Sequence, residues 1–406
     1  MKKKMNLIFR VAFIFLIFQL TSCGRQEKEP EDVLKTDAVV FFRDGGTYTE
    51  QYAVYTKDGK SPNLWYFDVT TKQSVPYCFD PSCDHRRAER DLDGNIVSKG
   101  CISFELGSPL FINEGSVFYY SDSENCIYRT DLSGNNRKAV ARLSRPYGYT
   151  SAVYFTENEA FLSYNMTCEY KQVGEGSKTE WVVDKVKEMP EIGVIRVPLD
   201  GSGEEVLFRS DEYYEMQVCE FHCFDGRLHF VMVGKDRPTD YEKFGDDFQA
   251  LMEDDLKHTV EEGFEYTPST NELRKLFFYS TYVPAYFFDK GYGILNDADK
   301  LEIYHYDGEK VAESEIDRMD VIENIRLPNH EIIGRKTDTG EFFLMNPETG
   351  DILKKTSLKG FVLNVAVGSS YYGILDGTDG QGIHVYISAA DFWNGNEEGI
   401  VPFSKE

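Results

Sequence analysis

The sequence lacks most of the features by which enzymes and nucleic-acid-binding proteins are recognised. It has no excess of basic residues: 44 Lys and Arg stand against 69 Asp and Glu, a formal net charge of −25. Such a surface repels nucleic-acid phosphates, so a general nucleic-acid role is excluded. Also missing are a Gly-x-Ser-x-Gly elbow, a His-Glu-x-x-His pair, a phosphate-binding loop and a dinucleotide fingerprint. The sequence therefore favours a protein that is not an enzyme, without excluding an enzyme, and it indicates no catalytic residue.

The N-terminal segment lacks an apolar run long enough to cross a membrane. The uninterrupted apolar stretch from Val11 to Phe18 has eight residues, whereas a membrane-spanning helix needs about 20. A basic start precedes this stretch and polar residues follow it, which is the layout of an export signal. We therefore predict that residues 1–22 are a signal peptide that is removed.

The end of that segment, Leu20-Thr21-Ser22-Cys23, resembles the bacterial lipobox. The resemblance implies that the Cys23 thiol receives a diacylglyceryl group and that Cys23 becomes the new N-terminus, with acyl chains such as palmitate as the membrane anchor. An ordinary signal peptide with an incidental cysteine is the alternative. Residues 23–37 are charged and poor in apolar side chains, so they are predicted to be a flexible tether. The expected location is extracytoplasmic, at the cell surface or the periplasmic face of a bacterial membrane.

The body of the chain is rich in aromatic residues, which favour strands over helices: it has 26 Tyr and 29 Phe. A phrase recurs in it, made of an aromatic or β-branched run, then Asp or Asn, then a turn that usually contains Gly. Five copies place the marker residue at Asp68, Asp131, Asp200, Asp307 and Asn346. We expect a degenerate copy near 276–279 and a last copy at 384–387. Each copy is predicted to be a strand that enters a tight turn.

These repeats predict an all-β protein, a β-propeller of about seven blades with six to eight possible, over residues 38–403. The hairpin pattern resembles the propeller lipoproteins of bacteria, the broad group that includes TolB-like and other sugar- or protein-binding propellers. A pair of β-sandwiches or a β-solenoid is the alternative architecture.

One segment, about 239–263, has helical instead of strand periodicity. Thr239 and Glu242 have the spacing of a capping box, and Gly263 is placed to end the helix. The periodic apolar residues are expected to be buried against the propeller; a movable cap or a docking face is the alternative. They are Tyr241, Phe244, Phe248, Leu251, Met252, Leu256 and Val260.

A cluster of cysteines and one histidine is the candidate metal site. Cys78, Cys83, His85 and Cys101 can supply the four ligands of a structural zinc ion. A disulfide is the competing interpretation, because exported proteins commonly meet an oxidising environment. Seven cysteines remain beside Cys23, an odd number, so at least one is unpaired within a monomer.

Three functions remain open at this point. The leading hypothesis is a non-catalytic binding or scaffolding lipoprotein for an envelope protein, a peptide or a glycan. An exported polysaccharide hydrolase or lyase is the second, since propellers also host such enzymes. A metal- or redox-linked envelope sensor that uses the cysteine cluster is the third. Fold alone does not decide among them.

Overall fold

The computed structural model describes residues 39–403, apart from residues 42–45, 57–63, 79–82, 84–88, 91–95, 99–100, 102–109, 114–115, 122–123, 132–135, 145–152, 157, 175–179, 225, 246, 289, 297–299, 323–324 and 377–381. The predicted signal peptide (1–22), Cys23 and the tether (23–37) lie outside the described residues. Among the helices that are described, none is long and apolar enough to cross a membrane.

Seven sheets follow one another along the chain and form a seven-bladed β-propeller, which confirms the predicted fold class. Blade 1 contains β1 (Val39–Phe41), β2 (Gly46–Tyr48), β3 (Tyr52–Thr56), β4 (Leu64–Asp68) and β5 (Gln73–Pro76). A two-stranded ribbon of β6 (Glu89–Arg90) and β7 (Ile96–Ser98) follows. Blade 2 contains β8 (Leu110–Asn113), β9 (Ser116–Ser121), β10 (Cys126–Asp131) and β11 (Lys138–Arg142).

The middle blades carry the longest strands. Blade 3 contains β12 (Val153–Phe155), β13 (Glu159–Val173), β14 (Glu180–Pro198) and β15 (Glu205–Ser210). Blade 4 contains β16 (Tyr214–Phe224), β17 (Arg227–Lys235), β18 (Thr259–Thr267) and β19 (Glu272–Tyr279). Two helices, α1 (Tyr241–Phe244) and α2 (Phe248–His258), lie between β17 and β18.

The last three blades complete the ring. Blade 5 contains β20 (Ala285–Phe288), β21 (Gly291–Leu295), β22 (Leu301–His305) and β23 (Lys310–Glu313). Blade 6 contains β24 (Met319–Val321), β26 (Ile332–Lys336), β27 (Phe342–Met345) and β28 (Ile352–Thr356). Blade 7 contains β25 (Ile325–Arg326), β29 (Phe361–Val367), β30 (Ser370–Asp376), β31 (Gly382–Ser388) and β32 (Val401–Pro402), with helix α3 (Ala389–Trp393) and a 3-10 turn (Glu397–Gly399) before β32.

The recurring Asp or Asn occupies one structural position, the turn between the last two strands of a blade. In four blades its side-chain oxygen accepts a hydrogen bond from a backbone N–H two or three residues later, which closes a local turn. These bonds are Thr71 N to Asp68 (2.6 Å), Ser202 N to Asp200 (2.8 Å), Glu309 N to Asp307 (3.0 Å) and Glu348 N to Asn346 (2.8 Å). The repeat therefore marks blades because each blade needs the same turn.

The apolar core is divided into clusters that each join two neighbouring blades. One such cluster packs Phe111 and Ile127 of blade 2 against Phe155 and Ile195 of blade 3. Strand β17 shows the effect on burial, since five consecutive residues from Leu228 to Met232 are buried. Strands covered on both faces carry continuous apolar runs instead of strict alternation.

The ring closes where blade 1 packs against blade 7. Tyr372 of β30 lies in one cluster with Tyr48, Phe67 and other residues of both blades. Its hydroxyl donates a hydrogen bond to the backbone oxygen of Thr49 (2.7 Å). The Ser370 hydroxyl donates to the backbone oxygen of Glu50 (2.7 Å). Among the described residues, no strand of one of these two blades pairs with a strand of the other, so the seam is held by these side-chain and backbone contacts.

The predicted helical insertion is present, but it is made of two short helices that end at His258, so the predicted bounds of 239–263 do not match. Asp240 and Asp247 cap two separate helices by accepting hydrogen bonds from Lys243 N and Ala250 N, both at 3.1 Å. From Thr259 the chain is strand β18, so Gly263 ends no helix. A Cβ on Gly263 would lie 2.2 Å from the Phe277 ring, which is why glycine occupies this position in the sheet. The degenerate repeat near 276–279 lies in β19, the last strand of blade 4, one strand later than in the other blades.

Candidate functional site

The structure brings three of the four predicted metal ligands together. Cys78 follows β5, Cys83 lies in the next loop and Cys101 follows β7. Their sulfur atoms all lie within 4.8 Å of one another. Cys101 is buried, and the other two thiols are half-buried. His85, the fourth predicted ligand, lies outside the described residues.

The grouping of the three sulfurs is compatible with a metal ion and with a disulfide between two of them. Two thiolates bound to one tetrahedral zinc ion lie about 3.8 Å apart, given a Zn–S distance of about 2.3 Å. A disulfide requires the two sulfurs at about 2.05 Å. In either case the cluster would fasten the loops after blade 1 to each other.

The helical insertion, residues 237–258, is held to the propeller by its charged side chains. Asp254 pairs with Arg237 and with Lys243 (3.4 Å for the second pair). Asp255 pairs with Lys235 of β17 at 2.9 Å. The two pairs of Asp254 lie within the insertion, and the pair of Asp255 ties α2 to blade 4.

The apolar side of α2 is left uncovered. Phe248, Met252 and Leu256, spaced by four residues and so on one helix face, are 69%, 48% and 43% exposed. We name these three residues the apolar stripe. The expectation that the periodic apolar residues are buried against the propeller is wrong for the stripe and for Tyr241, which is 65% exposed. Phe244 and Leu251 are half-buried, and Val260 is buried but lies in β18. No residue of α1 or α2 is buried.

Comparisons with known proteins support the propeller fold and show neither a family nor a function. No protein-family model matches this chain, and no curated protein matches it. Among solved structures, a puromycin-hydrolyzing peptidase of Mycobacterium tuberculosis is similar, with a TM-score of 0.52 and 11% identity over 93% of this chain and 55% of that one. A puromycin hydrolase is similar with a TM-score of 0.51 and 12% identity, over 92% of this chain and 54% of its own. The chain spans about half the length of these enzymes.

Strands of blade 4 contain a buried charge cluster that sequence reasoning missed. Glu265 accepts hydrogen bonds from Arg274 (2.9 Å) and Arg227 (3.2 Å) and contacts His229 Nε2 (3.2 Å). Burial alone would raise the pKa of Glu265, but the hydrogen bond to His229 and the charge of Arg274 lower it to about 2. Burial lowers the pKa of His229, whose ring stacks on Tyr306 of blade 5 at 4.3 Å. The cluster fastens blade 4 and packs it against blade 5, so its role is structural.

A second group of possible metal ligands lies in the turn after β22. Ligand atoms of His305, Asp307 and Glu309 come within 4.8 Å of one another. The turn itself explains their proximity, since Glu309 N donates to Asp307 and His305 N donates to the backbone oxygen of Glu309 (3.0 and 2.9 Å). Both acidic groups are exposed, and we assign no metal to them.

We expect about one zinc ion per chain at Cys78, Cys83 and Cys101, with His85 as the fourth ligand. Elemental analysis of protein purified without chelator measures it. The Cys101→Ser variant should lose the metal, whereas Cys168→Ser, on a distant strand of blade 3, should keep it. Metal-free protein whose mass is lowered by one pair of hydrogens would instead establish a disulfide.

Proposed function

We propose that this protein is a lipid-anchored, non-catalytic propeller that binds another protein of the bacterial envelope through its helical insertion. The anchor is Cys23, with residues 23–37 as the tether. The observation that carries the proposal is the apolar stripe on α2, which stays exposed although the Asp255–Lys235 pair ties the helix to blade 4. Exposed apolar side chains grouped on one face mark interaction sites.

Neighbouring surface features fit the same interpretation. Strands β13 and β14 continue past the blade as a two-stranded arm, residues 168–174 and 180–186, in which they pair only with each other. Val183 and Val186 on this arm are 53% and 69% exposed. The arm belongs to blade 3 and the insertion to blade 4, so two adjacent blades each contribute an extension with exposed apolar side chains. A propeller blade needs neither extension in order to close.

We expect the double variant Phe248→Ser/Met252→Ser to lose its envelope partner and to keep its stability. Exposed positions change the free energy of unfolding by no more than about 0.5 kcal/mol each, so the melting temperature should barely move. The measurement is chemical cross-linking in intact cells, followed by identification of the cross-linked protein. The matched control is Leu353→Ser, a similarly exposed apolar position (49%) on blade 6.

Two results would contradict the proposal. One is an unchanged cross-link in the stripe variant. The other is a fall in melting temperature much larger than that of Leu353→Ser, since it would mean that the stripe is covered within the chain. A parallel Cys23→Ala variant tests the anchor: the protein should leave the membrane fraction and lose the cross-link, while the purified protein keeps its fold.

The second candidate function is a metal- or redox-linked envelope sensor. The gathering of Cys78, Cys83 and Cys101 within 4.8 Å favours it. Treatment with a mild oxidant should then release metal and change the cross-linking of the stripe. If cross-linking is insensitive to oxidation, the cluster is a structural staple. The likeness to puromycin hydrolases shows the fold alone, so a hydrolase or lyase activity gains no support from it.

A further inference from the structure

A cleft of about 610 Å³ opens between blades 2 and 3. It lies at the end of the blades where β9 and β13 begin and where β14 ends, so both blades contribute turn residues to it. This volume is in the range of sites that bind small ligands, roughly 300–1,000 Å³. The cleft contains two arginines, Arg129 of β10 and Arg196 of β14, in a chain whose net charge is −25.

The charge of Arg196 is already neutralised within blade 3. Its Nε donates to Glu159 Oε1 at 2.8 Å, and its Nη1 lies 3.4 Å from Glu205. The hydrogen bond that Arg196 donates to Glu159 raises the pKa of Arg196, with Glu205 adding a smaller effect. Arg196 and Glu159 therefore form a structural pair in the wall of the cleft.

Arg129, unlike Arg196, is held by an uncharged partner. Its Nε donates to the Ser116 hydroxyl at 2.9 Å, and its guanidinium carbon lies 5.7 Å from the centre of the Phe118 ring. Among the described residues, no carboxylate forms an ion pair with it. Ser116 and Phe118 are buried, whereas Arg129 is exposed. The guanidinium is thus held at one edge, and its two Nη groups remain open for a bidentate carboxylate.

We propose that this cleft binds an acidic sugar, whose carboxylate pairs with Arg129. Two other polar groups of the lining suit hydroxyls: Asn158 is uncharged, and the Asp200 carboxylate, which already accepts from Ser202 N at 2.8 Å, has further lone pairs that can accept a hydrogen bond. Asp200 also disfavours a second anionic group close to it, which favours a ligand with one carboxylate and several hydroxyls. The site lies apart from the apolar stripe, so it does not depend on the protein-binding function proposed above.

The test is titration calorimetry of the full chain with galacturonate, its methyl ester, neutral galactose and a dipeptide. We expect galacturonate to bind and the methyl ester and galactose to bind at least about tenfold more weakly, since they lack the carboxylate. Arg129→Gln should weaken galacturonate binding by a similar factor. Arg129→Lys, which keeps the charge but not the planar fork, should recover part of the loss.

The matched control is Arg142→Gln, an exposed arginine on β11 of the same blade that contacts the backbone oxygen of Glu124. It should leave binding unchanged. Melting temperatures of all three variants should equal that of the wild type, so that lost binding is not lost folding. Three results would each overturn the proposal: no binding of galacturonate, equal binding of the ester, or binding that survives Arg129→Gln. Binding of the dipeptide alone would assign the cleft to peptides and overturn the sugar.

Discussion

Replacing Tyr372 with alanine should lower the free energy of unfolding by about 3–5 kcal/mol, the cost of removing a large aromatic side chain from a packed core. Tyr372 is 1% exposed, and its ring lies 5.2 Å from Tyr48 and 6.1 Å from Phe403. The substitution also removes the hydrogen bond to Thr49, so blades 1 and 7 lose both packing and a polar contact. Urea unfolding followed by tryptophan fluorescence measures the change.

Two further variants separate the contributions at the seam. Tyr372→Phe keeps the ring and removes only the hydroxyl, so it should cost about 1 kcal/mol. Ile383→Ala, at a 43% exposed position of the same blade, should cost no more than about 0.5 kcal/mol. If Tyr372→Ala costs no more than Ile383→Ala, the closure of the ring between blades 1 and 7 does not limit its stability.

The contribution of Glu261 to the free energy of unfolding should fall by about 3 kcal/mol as pH rises from 4 to 8. Glu261 of β18 is 3% exposed and accepts one hydrogen bond, from Val283 N at 3.2 Å. Burial raises the pKa of Glu261 to about 7, and that hydrogen bond only partly opposes it. Below pH 4.5 the carboxyl is protonated in both states, so its contribution is fully present. Between 4.5 and 7 the unfolded chain releases the proton first, and above 7 the contribution is lost.

The Glu261→Gln variant tests this assignment. The amide stays neutral at every pH, so the variant should be more stable than the wild type at pH 8, and the two should converge near pH 4. Unfolding by urea at a series of pH values measures the slope. Glu253→Gln, at an exposed position on α2, is the matched control and should leave the slope as it is. An unchanged slope in Glu261→Gln would show that the carboxyl is hydrated in the folded protein.

The number of blades could be predicted from the sequence because the turn between the last two strands repeats its chemistry. Asp68, Asp200 and Asn346 form the same local hydrogen bond in three different blades. This turn signal is local, so it can be recognised even where the rest of the blade differs in sequence from the other blades. The copy predicted for blade 4 is displaced by one strand because this blade closes the turn differently, with Thr270 N donating to the backbone oxygen of Thr267.

The sequence predicts helix over the first five residues of β18, 259–263, because the polar residues of this strand are satisfied only by the folded sheet. Glu262 pairs with Lys275 of β19 at 2.8 Å, and Glu265, two residues beyond the predicted helix, pairs with Arg274 of the same strand at 2.9 Å. Such glutamates look like the solvent face of a helix in the sequence. The partners that allow them to be buried lie on another strand, so no local pattern reveals them.

The cysteine cluster and the cleft between blades 2 and 3 also differ in how far the sequence predicts them. Cys78, Cys83 and Cys101 lie close in sequence, so their proximity in space was expected. Arg129 and Ser202 of the cleft come from different blades and meet only when blades 2 and 3 pack. The sequence does contain one signal for the cleft: two successive copies of the repeat each carry an arginine, at positions 129 and 196. Equivalent strands of adjacent blades bring such residues to the same end of the ring.

The seam at Tyr372 also sets an order of events in the folding of the chain. Contacts within a blade, and those between successive blades, join residues that are near in sequence, so they can form while the chain is still emerging. The bond from Tyr372 to Thr49 spans 323 residues, and closing so long a loop costs more entropy than forming contacts between successive blades. One apolar face of blade 1 therefore stays uncovered until blade 7 has been synthesised and has packed against it. Any nascent or truncated chain that ends before blade 7 exposes that face to chaperones, proteases and its own neighbours.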